Sequence, residues 1–179
     1  MPDLVSYLVA AMTAWVPPHA LPEPKDDTLA RYDSIARDAI SVAYDEAEAP
    51  LFPGNDGRAQ TALLMIAVAS LESGYRRAVD DGTRLGDHGR SYCLMQIRVG
   101  MGMTADGWSG TDLVSDRSKC FRAGLHILRG SFNACRKLPV EDRMSAYATG
   151  RCTEGEEKSR LRVGRALAWW DTHARPGQT

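Results

Sequence analysis

Residues 63–97 read LLMIAVASLESGYRRAVDDGTRLGDHGRSYCLMQI. The run from Ala62 to Leu71 is apolar on nearly every side, the mark of a helix buried through the middle of a domain. Glu72-Ser73-Gly74 follows, and glycine is the residue type that ends helices, because it takes positive φ without a Cβ clash. The spacing therefore puts one carboxylate, Glu72, at the inner C-terminal end of a buried helix. The helix dipole is negative there and an apolar wall penalises charge, so both disfavour the ionised form. A carboxyl group that keeps its proton near neutral pH is what general-acid catalysis needs. The plain alternative is a surface Glu beside a helix cap.

Outward from this helix, the rest of the chain reads as helices joined by turns. Residues 4–16 form an apolar stretch closed by Pro17-Pro18. Asp3 precedes it and no basic cluster does, so an ordinary first helix is expected rather than a signal peptide. Residues 17–27 are rich in proline and charge and read as a surface-packed arm. Asp26, Asp27 or Thr28 is expected to cap an amphipathic helix over 28–47, with Leu29, Tyr32, Ala36, Ile40 and Ala43 on one face. Turn chemistry over 49–57 separates it from the buried helix, expected over 58–73. Residues 75–99 are too polar and glycine-bearing for a helix and predict an irregular lobe with a short hairpin. Residues 100–111 read as a loop carrying Met101, Met103 and Trp108; Trp108 either presents its ring to a ligand or plugs the core. Ser115 or Asp116 caps a helix with Phe121, Leu125, Leu128, Phe132 and Cys135 on one side. A short helix over 141–149 and a last one over 154–173 complete the chain. The basic side of the last helix faces either solvent or an anionic polymer.

At 179 residues and a net charge of −1, the chain fits a single domain and carries no electrostatic footprint for nucleic acid. No run is long enough to span a membrane. The expected organisation is an N-terminal helix and arm over 1–25 followed by the main domain over 26–179, as a monomer without metal or cofactor. The four cysteines, Cys93, Cys120, Cys135 and Cys152, are even in number and confined to the second half, which suggests two disulfides and an oxidising setting. Their spacing lacks the close pairs of structural zinc sites. Cys120 and Cys135 sit at opposite ends of one expected helix, about 22 Å apart at 1.5 Å per residue, too far to bond. Cys93–Cys120 with Cys135–Cys152 is the favoured pairing; Cys93–Cys135 with Cys120–Cys152 stays open.

Four motifs occur in register. Glu72-Ser73-Gly74 is followed by the turn Gly86-Asp87-His88-Gly89-Arg90-Ser91 and then Cys93-Leu94-Met95-Gln96-Ile97; Gly107-Trp108-Ser109-Gly110 and Ser145-Ala146-Tyr147-Ala148-Thr149-Gly150 come later. Together they resemble the core of the goose-type lysozyme and soluble lytic transglycosylase superfamily. The resemblance spans 63–150, about half the chain. It implies a mainly α, lysozyme-like α+β fold with a buried central helix and a small irregular β element. It also implies action at the cell wall, periplasmic or extracellular, on peptidoglycan glycan strands, cutting the β-1,4 bond between N-acetylmuramic acid and N-acetylglucosamine. A phage lysin and a bacterial effector or remodelling enzyme both fit that setting.

In this resemblance Glu72 is the catalytic acid. Ser91, Cys93, Met95, Gln96, Trp108 and Tyr147 fall at positions that bind or line the sugar groove: backbone near Ser91 and Cys93 for an N-acetyl group, Met95 as apolar wall, Tyr147 donating its hydroxyl near Glu72. Gln96 offers both donor and acceptor. Asp87 aligns with the first of two aspartates proposed to activate water in the goose-type enzymes, and the second aligns with Arg98. An inverting hydrolase needs a second carboxylate roughly 6.5–9.5 Å from the acid. A transglycosylase uses the sugar's own 6-hydroxyl and needs only one. Arg98 cannot accept a proton from water, and by pairing with Asp87 it makes that carboxylate a weaker base. Transglycosylase chemistry is therefore favoured, although the Gly-Asp-x-Gly turn looks more like the hydrolases. Ala148 also departs from the usual Asn after the Tyr. Replacing Glu72 by Gln is expected from the sequence to relieve the helix dipole and stabilise the fold slightly. Two rivals remain: a lysozyme-like module of a phage tail or secretion machine that binds wall glycan without cutting it, and a cysteine peptidase using Cys93 and His126, which requires a free thiol.

Overall fold

The computed structural model describes residues 3–173, with the side chains of Ala148 and Thr149 also outside the description. It is mainly helical with one two-stranded sheet. The expected central helix is α3, Gly57–Glu72, and from Ala62 to Ala69 every residue is at most 1% exposed. Full burial of a Leu, Ile, Met or Val side chain stabilises by about 1.5–3 kcal/mol over leaving it in water, so this segment anchors the core. Gly74 takes φ +59° just past its end. Helices α1 (Leu4–Trp15), α2 (Lys25–Tyr44), α6 (Arg117–Ala134) and α8 (Glu156–Thr172) pack around α3. A single apolar cluster runs from Tyr7 and Leu8 of α1 to Trp170 of α8, so the first helix belongs to the same core as the rest.

Local signals account for most boundaries. Asp3 caps α1 by accepting from the Ser6 amide at 2.7 Å, and Asp116 caps α6 by accepting from Ser118 and Lys119 amides. The expected cap of α2 is corrected. The helix begins three residues earlier, at Lys25, with Pro24 at the cap position and no side-chain capping bond. Thr28 lies inside the helix, buried, and its hydroxyl donates back to the Pro24 carbonyl at 3.1 Å. Proline explains the shift, since its φ is already fixed for helix entry. The loop expected over 100–111 also needs correction, because α5, Gly110–Ser115, starts inside it. Its capping box is Ser109 with Asp112, and the Ser109 hydroxyl and amide bonds hold the Asp112 carboxyl down at about 2.

Between α3 and α5 lie a four-residue helix, α4 (Arg77–Asp80), and the antiparallel hairpin β1 (Ser91–Tyr92) and β2 (Ile97–Arg98), paired Ser91 with Arg98 and Tyr92 with Ile97. The predicted helix over 141–149 is broken into a 3-10 turn, Val140–Asp142, and α7, Ala146–Thr149. Disulfides Cys93–Cys120 and Cys135–Cys152, with Cα atoms 6.1 and 5.5 Å apart, tie the hairpin to the start of α6 and the end of α6 to the approach to α8. Among the described residues no helix is long and apolar enough to cross a membrane.

The start of α3 is where the fold tolerates least. A Cβ on Gly57 would lie 2.0 Å from the Phe52 carbonyl oxygen, a backbone atom that cannot swing away. Gly57→Ala gains about 1 kcal/mol of helix propensity, but the collision costs about 3 kcal/mol, as overpacking does. We expect a net fall in melting temperature of about 4–8 °C, read by scanning calorimetry. A rise would show that the 52–57 turn yields freely.

Candidate functional site

Five of the residues singled out by sequence meet in one place. Glu72 from the end of α3, Asp87 from the turn, Ser91 and Gln96 from the hairpin and Tyr147 from α7 line a cavity of about 360 Å³, together with Ile97, Arg98 and Ile127. A second cavity, of about 290 Å³, shares Ile97, Arg98 and Ile127 and continues along Thr104, Ala105, Asp106, Ala123 and His126. The shared residues place the two cavities side by side across the hairpin and α6. A larger cavity of about 470 Å³, lined by Asp38, Asp80, Asp81, Asp116 and Arg117 among others, contains none of the motif residues.

Backbone strain shapes the groove rim. Asp87, His88, Cys93 and Gln96 all have positive φ, 47°, 55°, 58° and 50°, a costly conformation for non-glycine residues that clusters at functional sites. The Gln96 amide nitrogen donates to the Cys93 carbonyl at 3.0 Å, closing the hairpin turn. Its other amide atom rests against Gly86, where a Cβ would lie 1.8 Å from it. The Tyr147 hydroxyl donates to the Met95 carbonyl at 2.9 Å, so it braces the hairpin rather than bonding Glu72. Burial, and then the nearby Glu72 charge, push the Tyr147 phenol far above its ordinary value, so it stays a donor at any working pH.

Glu72 does not stand alone. Arg162 of α8 donates Nη2 at 2.5 Å and Nε at 3.1 Å to its Oε1, with side chains only 10% and 20% exposed. To the helix dipole and apolar wall expected from the sequence, the structure adds a counter-charge from a residue 90 positions away. Asp87 pairs with Arg98 at 3.5 Å, both well exposed, and such a solvent-screened pair contributes at most about 1 kcal/mol.

Three expected groove residues lie elsewhere. Met95 is fully buried and points at α6, packed so closely on Gly124 that a Cβ there would fall 2.2 Å from its sulfur. It is core, not groove wall, because Gly124 leaves α6 the hole it fills. Cys93 is 1% exposed and disulfide-bonded, and lines neither groove cavity. Trp108 is half-buried, packed against the core cluster, and lines neither groove cavity. No free cysteine exists among the described residues, which removes the Cys93–His126 peptidase. His126 instead bridges Glu48 at 2.9 Å and Asp106 at 2.8 Å. Burial alone pushes the Glu48 carboxyl up, but bonds from Arg129 and His126 outweigh it and hold it below its usual range. The basic residues of α8 divide: Arg165 turns inward, bonding Ser70 at 2.8 Å and lying over the Trp15 ring, while Lys158 and Arg160 are exposed, with Arg160 paired to Asp142 at 2.7 Å.

Sequence reasoning missed Arg162 and Ile127. Ile127 carries a signal of its own, an apolar residue off the buried stripe of α6 and 38% exposed. Comparison with known protein families, with curated proteins and with solved structures returns no match.

Proposed function

We propose that the protein cleaves the β-1,4 glycosidic bonds of peptidoglycan through a lysozyme-like groove, with Glu72 as the proton donor. The observation that supports this reading is convergence: Glu72, Asp87, Ser91, Gln96 and Tyr147, spread over 72–147, line one open cavity. Three of the four motifs of the goose-type and lytic transglycosylase resemblance contribute, and the Gly107–Gly110 motif does not line this cavity. A carboxyl group at the end of a buried helix, facing a polar groove, is the arrangement a general acid requires. The two disulfides fit action in an oxidising compartment, as wall cleavage demands.

In the chemistry we favour, Glu72 gives its proton to the leaving glycosidic oxygen as the C1–O bond breaks. The 6-hydroxyl of the muramic acid residue then attacks C1 and returns its proton to Glu72, leaving a 1,6-anhydro end. No water is consumed. Arg98 supports this over hydrolysis, since its pairing with Asp87 competes with the base role that a hydrolase would give that carboxylate.

Purified walls incubated with the protein, followed by mass spectrometry of the soluble products, test both levels. Release of muropeptides ending in anhydromuramic acid is expected; products one water heavier mean hydrolysis, and no products at all overturn the enzyme in favour of a glycan-binding module. Asp87→Asn is expected to keep its rate within about tenfold of wild type, whereas a hydrolase relying on Asp87 as base loses about 10²–10⁴-fold. Hydrolytic products together with an inactive Asp87→Asn would reverse the assignment made from Arg98.

A further inference from the structure

We infer that Arg162 is a positioning residue that decides which oxygen of Glu72 carries the transferable proton. Both guanidinium bonds converge on Oε1, from Nε at 3.1 Å and Nη2 at 2.5 Å, and none reaches Oε2. The third nitrogen, Nη1, donates to the Lys158 carbonyl at 3.0 Å one turn back along α8, so the guanidinium is held on both sides. Arg162 itself is 8% exposed and is not among the residues lining the cavity, whereas Glu72 is. The grip therefore comes from behind the carboxyl group, on its protein side.

A neutral carboxyl carries its proton on one oxygen and accepts with the other. An oxygen already receiving two N–H donors has no room for a proton, so the proton sits on Oε2. Oε1 plays the carbonyl role against Arg162, and Oε2 plays the hydroxyl role toward the groove. In the second step the same grip steadies the carboxylate while Oε2 takes the proton back from the attacking 6-hydroxyl. Arg suits this better than Lys because its planar fork fixes two donors in one orientation, where an ammonium is a single point charge. The neighbours bear this division out: Tyr147 spends its hydroxyl on the Met95 carbonyl and Asp87 is turned to Arg98, so neither orients Glu72.

The inference rests on the glycosidase reading, and the test separates the two. Wild type, Glu72→Gln, Arg162→Met and Arg162→Lys, each as the full chain, are compared on soluble peptidoglycan glycan strands. Arg162→Met is expected to lower kcat about 100-fold, the cost of misplacing a reacting group, with KM unchanged because Arg162 does not face the substrate. Arg162→Lys is expected to recover part of that loss at an unfolding temperature close to wild type. It also covers the case in which Arg162→Met fails to fold. An active wild type, an inactive Glu72→Gln and wild-type kcat in Arg162→Lys and any folded Arg162→Met would overturn the positioning role alone. A loss that appears in KM rather than kcat would do the same, because it would put Arg162 in substrate binding. A wild type that binds strands without cutting them overturns the glycosidase reading and the inference with it.

Discussion

Glu72→Gln is expected to lower wall cleavage by about 10³-fold or more while the protein still folds. General-acid participation contributes about 10²–10⁴-fold, and the amide has the shape of the carboxyl but no proton to give. Loss of turbidity of a cell-wall suspension measures it, and wild-type turnover in the variant removes Glu72 from the chemistry. The same variant tests the ion pair. Relief of the helix dipole alone would stabilise by about 0.3–1 kcal/mol. Arg162, with its side chain 10% exposed, meanwhile exchanges a carboxylate for an amide oxygen. Arg162 keeps a charge-assisted bond to the amide but loses the opposite charge of an ionised Glu72, which costs about 2 kcal/mol, less than the ~3–5 kcal/mol of a buried pair broken outright. The second effect is the larger, so the expected net change is a loss of about 1 kcal/mol. That reverses the sign expected from the sequence. It corresponds to a melting temperature about 2–4 °C lower, and an increase would mean that the dipole outweighs Arg162.

That reversal marks where the sequence ceased to be informative. The burial of α3, the hairpin after it, a cap at Ser115 or Asp116 and the exclusion of a Cys120–Cys135 bond were readable because each depends on neighbours in the chain or on helix length. The Gly-Asp turn and the Gln96 turn were readable for the same reason, and both do border the groove. The choice between the two remaining cysteine pairings depends instead on how the hairpin meets α6. What escaped was decided by the angle at which α8 meets α3. Residues 158–165 contain four basic side chains, and periodicity alone leaves them equivalent. Packing turns Arg162 onto Glu72, Arg165 onto Ser70 and Trp15, and Arg160 onto Asp142. Met95 misled in a similar way. Its place beside Gln96 suggested groove wall, but residues adjacent in a tight turn face opposite sides, and Gly124 of α6 opened a hole for the sulfur.

Reducing both disulfides is expected to remove about half or more of the fold's stability, and to do so in two functionally distinct stages. Loop-closure entropy for separations of 27 and 17 residues gives about 3.5 and 3 kcal/mol respectively. Single domains hold about 5–15 kcal/mol in total. A loss near 6 kcal/mol corresponds to a fall of about 12–24 °C in melting temperature, read by thermal unfolding with and without reductant. The stages follow from burial. Cys93 and Cys120 are 1% and 0% exposed, whereas Cys152 is only partly covered, so a mild reductant reaches Cys135–Cys152 first. That bridge ties the end of α6 to the approach to α8 and touches no groove residue, so cleavage at low temperature should survive its loss. Cys93–Cys120 holds the turn whose Cys93 carbonyl receives the Gln96 amide and whose Met95 carbonyl receives the Tyr147 hydroxyl. Its loss frees Ser91 and Gln96 from the start of α6, and activity should fall while most of the helix content remains. The pair Cys135→Ser/Cys152→Ser against Cys93→Ala/Cys120→Ala separates the two effects. Equal activity in both double variants would show that the hairpin keeps its place by packing alone, with Met95 in the Gly124 hole sufficient to hold it.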